Sequence, residues 1–245
     1  MGDKEKSIAV MQPYFFPYLG YFSLIDSVDQ YMFFDDVQYI RKSWMSRNRL
    51  LNIDKANDFY IRPDLIKPDY RELLQNVKLN PNEKWKFKLL AQINSYKNKA
   101  PFFKEVKKLL EKILSTKYEY LVDFNVNSII LISNELSLKT EFEKYTNHNF
   151  WFDKKPNPDE WGLFVAHKMK ASHYINAPGG EEFIKKDRFN DFNIKLGFIE
   201  PELKSYDQMT GNQFISGLSI LDVLFFNGIS KAESLVKQYK INWKN

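Results

Sequence analysis

The densest group of potentially reactive side chains lies between residues 35 and 49: Asp35, Asp36, Gln38, Arg41, Lys42, Trp44, Arg47, Asn48 and Arg49 follow a short aromatic run. Arginine offers a planar, two-pronged donor for phosphate, lysine a compact charge, and tryptophan a flat face for a base or sugar. Four cations beside two carboxylates usually make an exposed, solvated loop. Two aspartates at a strand end, with Gln, Trp and Asn close by, argue instead for a ligand. Lys42, Arg47 and Asn48 are therefore expected to hold the phosphates or sugar of a nucleotide-linked substrate, with Trp44 beside them and Gln38 nearby. General-base work falls to Asp35, Asp36 or Asp222. Of the three histidines, His173 precedes a glycine-bearing loop and is the one nearest the expected site.

A second concentration is "MQPYFFPYLGYFSLI", residues 11 to 25, with six aromatic rings and two prolines at a turn. Packing alone would account for such rings. The alternative is a binding-site wall, in which Tyr14, Tyr18 or Tyr21 presents a hydroxyl or ring to a pocket shared with Asp35 and Gln38. Gln12 opens the same loop. Gly179-Gly180 followed by Glu181-Glu182 reads as an ordinary turn whose acids suit a helix start.

Composition narrows the field. The chain has 245 residues, 36 Lys+Arg against 31 Asp+Glu and a formal net charge of +5, with the basic residues scattered rather than in blocks. That distribution weakens a nucleic-acid reading and is compatible with nucleotide phosphates, with an acidic carrier protein, or with no charged partner at all. The lack of cysteine excludes disulfides, thiolate metal sites and a cysteine nucleophile, and suits a cytoplasmic setting. No metal-ligand spacing and no Gly-x-Ser-x-Gly elbow occurs. The apolar stretches "VNSIILISNELSL" and "FISGLSILDVLFF" are too short and interrupted to span a bilayer.

These groups need elements to position them. "SIAVMQPY" reads as a short buried strand ended by prolines; Tyr21, Leu24, Ile25 and Val28 then recur at helical spacing, and "DQYMFFDDVQY" returns to strand. Strand, helix and strand within about 30 residues is the pattern of a parallel sheet. "PDYRELLQNVKL", "NEKWKFKLLAQINSYKN", "PFFKEVKKLLEKILS" and "YLVDFNVNSIILISNELSL" all carry helical periodicity. Mixed structure follows, and "FISGLSILDVLFFNG" reads as an apolar helix stopped at Gly228. The expectation is a Rossmann-like α/β fold with a mainly parallel sheet. It is read as one domain over 1–245 with a helical insertion at about 64–139, or alternatively two domains split near 150. In such a sheet, ligands sit beyond the carboxyl ends of the strands.

The run from Gln12 to Ile25, then Asp29, Phe34 to Tyr39, and Lys42-Ser-Trp44-Met-Ser-Arg47-Asn48 resembles the opening of the WbqC-like family. Lys88, Tyr96, Pro101 and Phe102 resemble its middle and "ASHYINAPGGEEF", which contains Asn176, its glycine-bearing strand and loop. "YDQMTGNQFISGLSILDVLFFNG" resembles its C-terminal block, with Tyr206, Gln208, Leu218, Ser219, Asp222, Asn227 and Gly228 in place. Tyr18 stands where the family pattern has Trp, and Ser46 where it has Asn. The resemblance implies a role in bacterial O-antigen or other surface-glycan biosynthesis: transfer of an acyl or aminoacyl group to the amine of a nucleotide-linked amino sugar. No tightly bound cofactor is implied, and the donor is acyl-CoA or an acyl or aminoacyl carrier protein. Lys88, Asn176, Tyr206, Gln208 and Ser219 enter the expected substrate site on this ground. A binding protein without chemistry of its own is the other reading. A weaker similarity, from Pro17 through Gly20 and Tyr21 to Asp29, is to the turn of HIGH-type nucleotidyl and adenylyl enzymes, but Tyr21 replaces the histidine that would face the phosphate.

Overall fold

The computed structural model describes residues 5–153, 155–211 and 214–244. The chain ends of the single-domain reading (1–4 and 245), position 154, and positions 212 and 213 of the C-terminal motif lie outside the described residues. Among the described residues the strands are β1 (Ser7–Met11), β2 (Gln30–Phe33), β3 (Asn48–Asn52), β4 (Asn57–Ile61), β5 (Glu141–Lys144), β6 (His173–Asn176), β7 (Lys195–Pro201) and β8 (Tyr239–Trp243). Seven α-helices are α1 (Leu19–Asp26), α2 (Lys84–Gln92), α3 (Phe103–Ser115), α4 (Leu121–Glu135), α5 (Trp161–Lys168), α6 (Lys186–Asn190) and α7 (Ile220–Val236).

The main sheet has the order β5-β2-β1-β6-β7-β8. Its ladders are parallel except β7 with β8. This is the mainly parallel, Rossmann-like α/β arrangement expected from the sequence. Alternate residues point to opposite faces, as the two-residue period of a strand requires. Ala9, Tyr31, Phe33, Ile175 and Ile199 join the core shared with α1, α3, α4 and α7. Ile8, Val10, Met32, Tyr174, Leu196 and Phe198 join the core with Leu163 and Val165 of α5 and Phe189 of α6. Helices thus cover both faces, which is why the central strands read as continuous apolar runs.

Three elements differ from expectation. "PDYRELLQNVKL" forms only a 3-10 turn at Leu74–Asn76. Its segment is instead tied in extended form, Tyr39 N–H donating to Glu72 O (2.8 Å) and Leu74 N–H to Val37 O (2.8 Å). Residues after Lys42 do not stay a loop: β3 and β4 pair as an antiparallel hairpin. The apolar helix does break at Gly228, at φ 69° and ψ 176°, but the chain then resumes helix and continues to Val236. A side chain at Gly228 would meet the Phe102 ring at 2.7 Å. The break also leaves the Phe225 carbonyl to accept from Phe102 N–H at 3.2 Å.

Candidate functional site

The strand order reverses at β1. From β1 the chain moves outward through β2 to β5, then returns to place β6 on β1's other side. Register between β1 and β6 runs Ser7↔His173 and Ile8↔Tyr174 and stops there, whereas β1 with β2 and β6 with β7 are paired over four positions each. The carboxyl halves of β1 and β6 are therefore unbridged, and such a reversal is where open parallel sheets form a ligand crevice. Gln12 follows β1 at this edge, Asn176 ends β6, and the Pro178–Gly180 turn comes after it.

On the β1 side, Tyr14 donates to Gln12 Oε1 (3.4 Å) and Tyr21 to the Gln12 carbonyl (2.8 Å). Burial, and then the neighbouring Tyr18, raise the Tyr14 pKa above its ordinary 10.0, so its hydroxyl stays protonated as a donor near neutrality. Burial raises Tyr21 further, and this residue is fully packed. On the β6 side, Asn176 Oδ1 accepts from Ala177 N–H at 2.8 Å. A Cβ at Gly180 would lie 2.4 Å from Asn176 Nδ2, so any larger residue there would displace the Asn176 amide.

The aromatic turn packs most of its rings and turns one of them, Tyr18, toward a cleft. Phe15 and Phe16 are entirely buried, with ring centroids 5.6 Å from Phe124. Phe16 adopts φ 42°, a left-handed conformation that costs a bulky residue about 1–3 kcal/mol unless its surroundings hold it. They do: Asn48 Nδ2 donates to the carbonyls of Phe15 (3.1 Å) and Phe16 (2.7 Å), and Ser219 Oγ donates to Phe16 (2.8 Å). Both amide hydrogens of Asn48 are engaged, so the structure gives it a clamping task rather than the expected phosphate contact. Asn48→Ala is expected to destabilise the fold by about 2–3 kcal/mol, read from urea denaturation, because two buried carbonyls lose donors.

Tyr18 is the ring that faces a cleft. The cleft's neighbours are Glu202 to Lys204 after β7, and Tyr206, Ser216 to Leu218 and Val223 before and within α7. It does not include Asp35 and Gln38, contrary to expectation. Gln38 instead donates to Tyr70 O (3.1 Å), and Asp36 accepts from Gln75 Nε2 (3.2 Å). Asp35 is buried, with its two oxygens accepting from Thr146 N–H (3.0 Å) and Thr146 Oγ1 (2.5 Å). That arrangement ties the end of β2 to the segment after β5. His173 starts β6, and a parallel strand's start lies at the opposite edge from its carboxyl-end loops. There it contacts Ser172 Oγ through Nδ1 (2.9 Å) and packs edge-on against Trp243.

Tyr206, Gln208 and Asp222 do meet. Asp222 is buried in the first turn of α7; Oδ1 accepts from Tyr96 (2.6 Å), and Oδ2 from Tyr206 (2.7 Å) and Gln208 Nε2 (3.1 Å). No cation is among these partners, and burial raises the Asp222 pKa against the pull of the three donors. Tyr96 also accepts from Leu51 N–H at 2.7 Å, linking the network to β3. Gln208 pairs reciprocally with the Ile215 backbone at 3.0 and 2.8 Å. Ser219 caps α7 through Leu221 N–H.

Trp44 and Arg47 sit on the β3–β4 face. Arg47 lies 4.3 Å from the Tyr60 ring and Arg49 5.9 Å from Trp44. Lys42 and Lys88 are exposed and make no ion pair among the described residues. Sequence reasoning gave no role to Tyr96, Arg49 or Asn125. Arg49 pairs with Asp58 (2.9 Å) and donates to the Ser216 and Gly217 carbonyls. Asn125 bridges the Pro13 and Met45 carbonyls at 3.0 and 2.8 Å. Their partners lie up to 168 residues away, beyond any local pattern.

Among the described residues no group of three His, Asp or Glu could hold a metal ion. Among the described residues no helix is long and apolar enough to cross a membrane. No solved structure matches the chain. An uncharacterized protein of Mycobacterium tuberculosis, Rv1507c, is 23% identical over 232 residues, covering 94% of this chain and 97% of that protein. The model of the WbqC-like protein family matches residues 12–234, taking in the β1 loop, the β6 turn and the Asp222 network together. The chain belongs to the WbqC-like protein family.

Proposed function

We propose that this protein is a cytoplasmic transferase that acts on a nucleotide-linked amino sugar in bacterial surface-glycan biosynthesis, adding an acyl or aminoacyl group to the sugar amine. The observation that carries the reading is the unbridged reversal between β1 and β6, with Gln12, Tyr14 and Asn176 at its edge. Neutral amide and phenol groups there supply donors and acceptors for sugar hydroxyls and phosphate oxygens. The family's association with surface glycans supports the choice of substrate class.

The donor is a thioester, of CoA or of a carrier protein. The amine nitrogen attacks the thioester carbonyl, the C–N bond forms, the C–S bond breaks, and the thiol departs with the proton given up by the amine. No tightly bound cofactor is needed for this exchange. The residue assigned to accept the amine's proton is Asp36, which follows β2 next to the carboxyl end of β1 and accepts through Oδ1 from neutral Gln75. The test is incubation of the purified protein with uridine- or thymidine-diphosphate amino sugars and acetyl, glycyl or longer thioesters, followed by mass spectrometry. A mass increase of the acyl group on the sugar nucleotide supports the reading; unchanged masses across donors, with measurable sugar-nucleotide binding, favour the non-catalytic one. One observation favours that second reading: the oxygens of Asp35 and Asp222 are already engaged by protein donors.

A further inference from the structure

Residues 40–71 hold eight Lys and Arg against four Asp, a local net charge of +4. Two of those four aspartates are neutralised, Asp58 by Arg49 and Asp54 by Lys99. Arg41, Arg62, Lys67 and Arg71 are exposed and make no ion pair among the described residues. The same stretch carries Ile40 (58% exposed), Trp44, Tyr60, Ile66 and Tyr70 (82% exposed), five of the twelve exposed large apolar side chains among the described residues. Contacts hold these pieces together: Arg41 donates to Pro68 O (2.7 Å), Gln38 to Tyr70 O, and Arg47 packs on Tyr60.

A face that is both cationic and apolar suits a protein partner with an acidic surface and exposed aliphatic groups. Resting on the transferase reading above, we propose that this face docks an acidic carrier protein that delivers the acyl group as a thioester. The face adjoins the β1 loop directly, since Phe15 N–H donates to Trp44 O (2.9 Å) and Asn48 holds the Phe15 and Phe16 carbonyls. A flexible thioester arm from a carrier seated here starts beside the loop that carries Gln12 and Tyr14. Nucleic acid fits the face less well. Asp64 and Asp69 interrupt the cations, and Arg47 and Arg49 are already turned onto rings rather than outward.

The experiment uses a bacterial acyl carrier protein, unloaded and acetyl-loaded, against the full chain and a variant combining Arg62→Glu, Lys67→Glu and Arg71→Glu. The wild type is expected to bind the carrier with an affinity that falls as salt rises. The variant is expected to bind at least tenfold more weakly, with unchanged melting temperature and unchanged sugar-nucleotide affinity. In turnover, KM for the carrier-borne donor rises in the variant while transfer from acetyl-CoA is unaffected. Equal carrier affinity for the two proteins overturns the proposal, as does binding of a single-stranded oligonucleotide in the carrier's place. Salt-dependent carrier binding that the variant loses, with no transfer from either thioester, upholds the docking face and removes the transferase reading instead.

Discussion

Asp222→Ala is expected to lower the unfolding free energy by about 3–5 kcal/mol, the largest effect of any single substitution proposed here. The carboxylate accepts from Tyr96, Tyr206 and Gln208 in a site closed to water. Removing it strands three donors, and each buried unsatisfied group costs about 1–3 kcal/mol, less what small rearrangements recover. Gln208 cannot turn to compensate without breaking its paired bonds to Ile215. A urea titration showing a change below about 1 kcal/mol would contradict this account of the network.

The same residue sets a pH dependence whose sign follows from burial. The Asp222 pKa is raised above its ordinary 3.8 in the folded protein, so the folded state keeps the proton to higher pH than the unfolded chain does. The stabilisation from that proton is complete below about 3.8 and is lost as pH rises through the folded value. Asp222→Asn, which does not titrate, lacks that decline. Between pH 3 and 7 the stability of the wild type relative to this variant should therefore fall with rising pH. A flat or rising difference would mean that the carboxyl is not penalised by its surroundings.

The second large effect concerns the crevice. Gln12→Glu combined with Asn176→Asp keeps side-chain size and leaves the Asn176 acceptor for Ala177 N–H in place. It puts two negative charges where the proposed ligand carries a diphosphate. Each neutral hydrogen bond is worth about 0.5–1.5 kcal/mol, and the added repulsion brings the loss to roughly 2–3 kcal/mol, or about 30- to 150-fold in affinity. Calorimetry with a sugar nucleotide checks this, with Lys170→Ala at the opposite edge of the sheet as a control that should bind normally.

The sheet was legible because its signal is local. Apolar runs at Ser7–Met11 and Gln30–Phe33, separated by a helix of suitable spacing, leave parallel pairing as the only simple connection. The β3–β4 hairpin was hidden because "NRLLN" and "NDFYI" are joined by a stretch without a glycine turn, and because its cations drew a ligand reading. The 3-10 segment near Leu74 failed for the opposite reason: its periodicity is helical, but Tyr39 and Val37 recruit its backbone into extended pairing. At the site, motif resemblance singled out Asp222, Tyr206 and Gln208, and these residues do meet. It could not distinguish a side chain that touches ligand from one that holds the loop that does. Asn48, which opens β3, and Asp35, which follows β2, make the point: both are polar residues at a strand end, and both have their hydrogen bonds completed by the chain itself.

The most direct test of the account is a crystal structure of the protein with a diphosphate-linked amino sugar. The account predicts density for the ligand at the carboxyl edge of the sheet, between the ends of β1 and β6, with its diphosphate or sugar hydroxyls within hydrogen-bond distance of Gln12, Tyr14 or Asn176. Density instead at the opposite edge, in the cleft beside Lys6, His167 and Lys170, would contradict it. So would a ligand held by the Arg47 and Trp44 face with the β1–β6 crevice empty.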